Sequence, residues 1–233
     1  MSVVAKTLMQ PARVAPALES GDRLSRAEFE RRYAAMPGVK KAELVEGVVY
    51  MASPVRFESH GNPHSLIIWW LTSYRLATPG VSVGDNATVR LDADNEVQPD
   101  ALLRLDPVLG GQSRISADDY VEGAPELIVE VAASSASYDL HDKKRVYRRN
   151  GVREYLVWVV SERRLEGWQW RDGDYLPLPV DADGVLRSAV FPGLALAGEA
   201  LLAGDLARVL AVLQAGLAGP EHAAFVARVQ GES

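Results

Sequence analysis

The sequence contains no cysteine, which removes disulfide frameworks, thiolate nucleophiles and cysteine-ligated zinc from consideration and agrees with a reducing, cytoplasmic compartment. It also lacks any apolar run of the roughly 20 residues that a membrane span requires, so no membrane partner is expected. No internal repeat and no long biased linker divides the 233 residues, which read as one domain with end extensions. Positive charge is in deficit: a formal net charge of -6 argues against a protein that coats nucleic acid by bulk attraction. Met1–Glu19 holds two basic residues and no continuous apolar core, so it reads as a flexible tail rather than a secretory signal. The expected division is a tail at 1–20, a folded domain at 21–217 and a C-terminal tail at 218–233.

What is present is ordinary for a globular protein with a substantial core: 48% hydrophobic and 24% charged residues. Ser25 and Glu28 form a capping-box pattern ahead of a helix over 26–36, closed by Pro37-Gly38. Residues 42–51 alternate about Glu46-Gly47 and predict a hairpin. Asn62-Pro63 opens a helix over 64–77 whose buried face is Leu66, Ile67, Trp70, Leu71 and Tyr74. Strands follow at 81–83, 88–91 and 101–105, with a turn at 92–96 and a surface loop at 106–116. Then come a strand over 126–131, a small-residue turn over 132–137, and a helix over 139–150 that stops at Asn150-Gly151. Segments 154–160, 165–171, 175–180 and 185–190 predict an antiparallel meander joined to the central sheet. One amphipathic helix is expected over 199–217. Trp158, Trp168 and Trp170, at even spacings, could stack bases but are better read as packing one sheet face.

Two strands carry a carboxylate where an apolar residue is expected. Asp100 interrupts Val97–Leu103, and Glu130 interrupts Pro125–Val131. A buried carboxylate needs a partner, and two on neighbouring strands repel unless a positive charge or a shared proton lies between them. A hard divalent cation meets that need. The segment Tyr138–Tyr147 supplies lysines. At about 100° per residue, Leu140, Val146 and Tyr147 define the apolar side of its helix. Lys143 falls roughly 20° from the centre of that side and Lys144 roughly 80° away. The competing reading pairs Lys143 with Asp139, four residues earlier, in a surface ion pair. Lys144, Arg145, Arg148 and Arg149 then lie on outer faces, either solvated or in contact with phosphates. His60 and His64 have the four-residue spacing of two zinc ligands, but Gly61 and Pro63 intervene and no H-E-x-x-H pattern is present.

Asp100, Glu130 and Lys143 in this order resemble the PD-(D/E)XK nuclease superfamily, and most of all its bacterial Uma-two family, classed with restriction endonucleases; the similarity runs from about Ser25 to about Gly216. The resemblance implies an α/β fold in which a mixed, strongly bent β-sheet is flanked by helices, as in restriction endonucleases, with the antiparallel meander added. It also implies a magnesium- or manganese-dependent endonuclease acting on DNA. In that scheme Asp100 and Glu130 bind the metal, Lys143 orients the attacking water, and Glu43, preferred over Glu46 by the family pattern, is a third acidic group. The same pattern brings His64 near the site. One departure stands out: the superfamily lysine two residues past the strand acid is replaced here by Ala132. A homodimer is expected on functional grounds, because cutting both strands takes two active sites. The missing strand lysine and the acidic balance motivate the alternative, a catalytically silent nuclease-like fold that binds nucleic acid or a partner protein. A third reading is a metal hydrolase of small phosphoesters.

Overall fold

In the computed structural model, residues 15–133 and 135–231 are described. Most of the tail expected at 1–20 therefore lies outside the described residues, as does Ser134 of the expected 132–137 turn. Within the remainder of that tail, Leu18 is buried beside Phe29 and Leu44.

The chain begins with α1 (Arg26–Ala34), capped by the Ser25 hydroxyl, which accepts from the Glu28 amide. The hairpin of β1 (Ala42–Val45) and β2 (Val48–Met51) turns through Glu46 at φ 51° and Gly47 at φ 73°. Two left-handed residues in a row make the turn whose twist matches the strands. A π-helical turn (Phe57–Gly61) leads into α2 (Asn62–Leu76), which buries Ile67, Trp70, Leu71 and Tyr74 as its periodicity requires. β3 (Val81–Asp85), β4 (Val89–Asp92), β5 (Asn95–Val97) and β6 (Ala101–Leu105) follow. β5 corrects the turn expected over 92–96. Asp92 caps the Asp94 amide and the Asn95 side chain, so the reversal is shorter and Asn95–Val97 pairs as a buried strand.

The loop expected at 106–116 contains β7 (Arg114–Ile115), which pairs with β8 (Val121–Glu122). β9 (Leu127–Ala132) is wholly buried. The expected helix over 139–150 is composite: α3 (Ala136–Tyr138), a π-helical segment (Asp139–Lys143) and α4 (Lys144–Arg149). β10 (Glu154–Val159), β11 (Arg164–Arg171) and β12 (Asp174–Pro177) form the meander. Its expected fourth strand, β13 (Val185–Arg187), instead pairs with β14 (Ala195–Ala197). The helix expected over 199–217 is two, α5 (Gly198–Ala203) and α6 (Leu206–Leu217), because Gly204 adopts φ 79° and Asp205 caps a new start. The expected C-terminal tail contains α7 (Pro220–Gln230), which buries His222 and Phe225.

Mixed sheets flanked by helices are as expected, but among the described residues they are two six-stranded sheets, beside the β13-β14 pair, rather than one bent sheet. One runs β2-β1-β5-β4-β8-β7 and the other β12-β11-β10-β9-β6-β3, with β9 and β10 parallel. Along β9, Leu127, Val129 and Val131 face a core shared with α2, α6 and α7. Ile128 and Ala132 face a second core shared with α4 and with Val45, Val89 and Val97 of the other sheet. Glu130 points to this second side by alternation. Among the described residues, no single helix is long and apolar enough to cross a membrane.

Candidate functional site

The antiparallel register of β6 on β9 pairs Ala101 with Val129, so the next rung sets Asp100 opposite Glu130. The strands tie the two carboxylates in place reciprocally. The Asp100 amide donates to Glu130 Oε2 at 3.3 Å, and the Val131 amide donates to Asp100 Oδ2 at 2.9 Å. Like charges directly opposite are destabilising, and both groups are buried. The pair requires positive charge around it.

Lys143 supplies part of that charge from the π-helical segment. Its ammonium donates to Glu130 Oε1 at 2.9 Å, lies 3.0 Å from Glu43 Oε1 and 3.6 Å from Asp139 Oδ1, and is 3% exposed. The wheel direction holds although the turn is π rather than α, a geometry that recurs at functional sites. Asp139 is thus one of three carboxylates on a buried lysine, not its partner in a surface pair. Glu43 is equally buried and accepts from the Gln98 amide at 2.7 Å. The Tyr147 hydroxyl, one helical turn past Lys143, donates to Glu130 Oε1 at 2.8 Å.

The carboxylate pair and Lys143 border a cleft of about 840 Å³. Lys41 Nζ lies 3.2 Å from Asp100 Oδ1, and His60 Nε2 lies 3.2 Å from Asp100 Oδ2. His64 Nε2 is 2.9 Å from the Asp100 carbonyl oxygen and 3.2 Å from Asp85 Oδ1. His64 thus lies beside Asp100. His60 Nδ1 and the Tyr138 hydroxyl are buried with no hydrogen-bond partner among the described residues.

The ionisation of the cluster reveals a shortage of positive charge. Burial pushes Glu130 up to about 8; Lys143 opposes this, while Asp100, Asp139 and Glu43 add to it. Burial also raises Asp139 despite Lys143 and the Ser135 hydroxyl. At Lys143 burial favours the neutral amine, yet Glu130, Glu43 and Asp139 outweigh it and hold the ammonium charged well above its ordinary range. Asp100 alone is held well below the carboxylate range: burial raises it, but the hydrogen bond from His60 and the charges of Lys41 and Lys143 prevail.

Glu43, Asp100, Glu130 and Asp139 thus face two lysines; with every carboxyl ionised the formal deficit is two charges, which one divalent cation would cancel, and without it Glu130 retains its proton at neutral pH. Among the described residues no three histidine, aspartate or glutamate side chains converge as a complete metal cage. An all-oxygen pair such as Asp100 and Glu130 fits a hard ion, which magnesium-type chemistry holds through one or two carboxylates plus waters and substrate phosphate. Zinc at His60 and His64 has no such fit, since both imidazoles are directed to Asp100.

The remaining expected residues lie farther out. Glu46, at the hairpin turn, meets Arg145 at 3.4 Å and Arg149 at 3.2 Å. Arg145 also bonds Asp142 at 2.7 Å, Arg148 bonds Asp174 at 3.1 Å, and Lys144 lies 3.7 Å over the Trp168 ring. The basic run is therefore already engaged with carboxylates and an aromatic face. The three tryptophans do not share a sheet face: Trp158 packs in the first core and Trp168 in the second, while Trp170 is partly exposed and bonds the Arg148 carbonyl. Lys41 was not singled out from the sequence, Tyr147 was read as part of the apolar side of its helix and not as a donor to Glu130, and His60 was weighed only for zinc. The signals were there: Lys41 alternates with Glu43, and Tyr147 is four residues from Lys143.

The Uma2 family, described as "Putative restriction endonuclease", matches residues 26–199. A solved structure described as "a putative nuclease belonging to DUF820" from Anabaena variabilis ATCC 29413 superimposes with a TM-score of 0.56. It covers 74% of this chain and 96% of its own length at 11% identity, a likeness of fold. Curated proteins give no match.

Proposed function

The chain belongs to the Uma2 family, and on that premise we propose that it is a magnesium- or manganese-dependent endonuclease that hydrolyses phosphodiester bonds of DNA. The observation that carries this reading is the opposed pair Asp100 and Glu130, buried between lysines and open to a cleft. These two carboxylates would hold the ion, which when bound supplies Lewis-acid stabilisation of a phosphate oxygen. Lys143 holds Glu130 and Glu43 in place, and would orient the attacking water with the N–H that faces Asp139 at the longer distance of 3.6 Å. Glu43 fixes the lysine through Oε1 and the β5–β6 turn through the Gln98 amide. Arg145, Arg148 and Arg149 would exchange surface carboxylates for DNA phosphates, and a symmetric dimer would provide the two centres that double-strand cutting needs.

The test is cleavage of supercoiled and linear DNA with magnesium, manganese or chelator, by the wild type beside Asp100→Ala and Glu130→Ala. Each variant is expected to lose at least about 100-fold in rate, on the scale of removing one transition-state-stabilising group, while keeping its circular dichroism spectrum. Metal-dependent cutting that survives in either variant above a mock purification sinks the assignment. The engagement of both Asp100 oxygens and both Glu130 oxygens by protein donors favours a second reading, a silent nuclease-like scaffold. Salt-sensitive DNA binding indifferent to divalent metal is its signature. Sedimentation of a strict monomer with double-strand activity would count against the dimer.

A further inference from the structure

The cleft is lined by a second lysine, less enclosed than Lys143. Lys143 is enclosed by three carboxylates and shielded from solvent. Lys41, by contrast, keeps a quarter of its side chain exposed in the cleft. Its position follows from the strand: alternate side chains share a face, so Lys41 projects beside Glu43, and its carbonyl is pinned by the Ala52 amide across the hairpin at 3.3 Å.

Two acceptors hold the ammonium, Asp100 Oδ1 and Asn86 Oδ1, each at 3.2 Å. An ammonium has three donors, so one remains for a ligand. Asn86 is built for its part. It adopts φ 50°, a left-handed conformation that asparagine tolerates better than most residues. Its amide nitrogens face elsewhere: Nδ2 donates to Asp85 Oδ1 at 2.8 Å, and the backbone N–H donates to the Asp100 carbonyl at 3.2 Å. The side-chain oxygen is thereby left for Lys41.

We propose that Lys41, positioned by Asn86, is the substrate-contacting ammonium of this site and binds a non-bridging oxygen of the phosphodiester group brought to Asp100 and Glu130. The inference rests on the nuclease reading and deepens it. Both lysines line the cleft, but the Lys41 ammonium is the more exposed and meets one carboxylate, whereas Lys143 is 3% exposed and held by three. The same residue answers the absence of lysine at Ala132: positive charge reaches the acidic pair from the neighbouring hairpin instead of from β9.

The experiment measures binding of fluorescently labelled duplex DNA across a salt series with calcium present, together with steady-state cleavage in magnesium. It compares the wild type with Lys41→Ala, Lys41→Arg and Asn86→Gly, the last keeping the left-handed backbone while removing the acceptor. Loss of one phosphate contact lowers the log–log salt slope by about 0.9. Lys41→Ala is expected to show that drop, about tenfold weaker DNA binding as for one charge-assisted hydrogen bond, and a raised KM. Lys41→Arg should restore the slope, and Asn86→Gly should shift KM the same way by a smaller factor. A residue that merely neutralises Asp100 would move the unfolding temperature and leave the slope alone; a wild-type slope and KM in Lys41→Ala overturn the proposal. If the wild type neither binds nor cuts DNA, the nuclease reading fails and the proposal with it, a result that differs from a functional wild type matched by an unimpaired variant.

Discussion

Glu130 is the residue on which most of the site converges, accepting from Lys143, from Tyr147 and from the Asp100 amide. Tyr147→Phe removes one of the two donors to Glu130 Oε1 while Lys143 keeps the other, and is expected to lower stability by about 1 kcal/mol in urea unfolding. Lys143→Met leaves three buried carboxylates uncompensated and should cost about 3–5 kcal/mol. A second buried acid offers a cleaner pH test. Burial and the adjoining Glu30 push Glu96 up to about 7 from an ordinary 4.5, against the pull of Arg90 and Arg26. The folded state therefore holds a proton there that the unfolded chain releases, so stability declines as pH rises from about 4.5 through 7. Glu96→Gln should flatten that decline and raise stability at pH 8 by about 2 kcal/mol, read as the wild-type minus variant difference in unfolding temperature across pH. At this scale the sequence was informative wherever a charge broke an apolar run, as at Asp100 and Glu130. It was silent where a residue's role depends on a neighbour far along the chain, as Lys41 depends on Asn86.

The elements were legible where a local code writes them: the Ser25 cap, the Glu46-Gly47 hairpin, the apolar face of α2. They were misread where a small residue acts through tertiary contact. Gly204 and Asp205 divide what periodicity presents as one helix, and Asp205→Ala should destabilise by about 1 kcal/mol through loss of the cap on the Arg208 amide. Gly216, inside the apolar stretch of α6, reads as an ordinary helix position. A Cβ there would collide with the Gly193 carbonyl oxygen. Gly216→Ala is therefore expected to destabilise despite the better helix propensity of alanine, with a lowered midpoint in thermal unfolding. The fourth strand of the meander failed for a similar reason: pairing of β13 with β14 is a choice of partner, which alternation alone does not encode.

At the scale of the molecule, the domain extends beyond the region that the family covers. α7 puts Phe225 into the same core as Trp70 and Leu213, and His222 bridges Thr78 Oγ1 and the Leu217 carbonyl at 2.9 Å each. A chain ending at Gly219 should therefore unfold at lower temperature than the full chain, where a solvated tail would leave the midpoint unchanged. That contribution was hidden because a short segment after Pro220 has little pattern of its own until α2 and α6 are in place. The division into two sheets was hidden too, since every strand involved reads alike in sequence. Yet the division carries a thermodynamic corollary. Glu43 belongs to one sheet and Glu130 to the other, and Lys143 spans the seam between them. An ion that relieves the charge deficit at that seam acts as a clasp on the whole fold, so the melting curve becomes a binding assay: at one hundred times its dissociation constant, such a ligand adds about 2.7 kcal/mol to global stability.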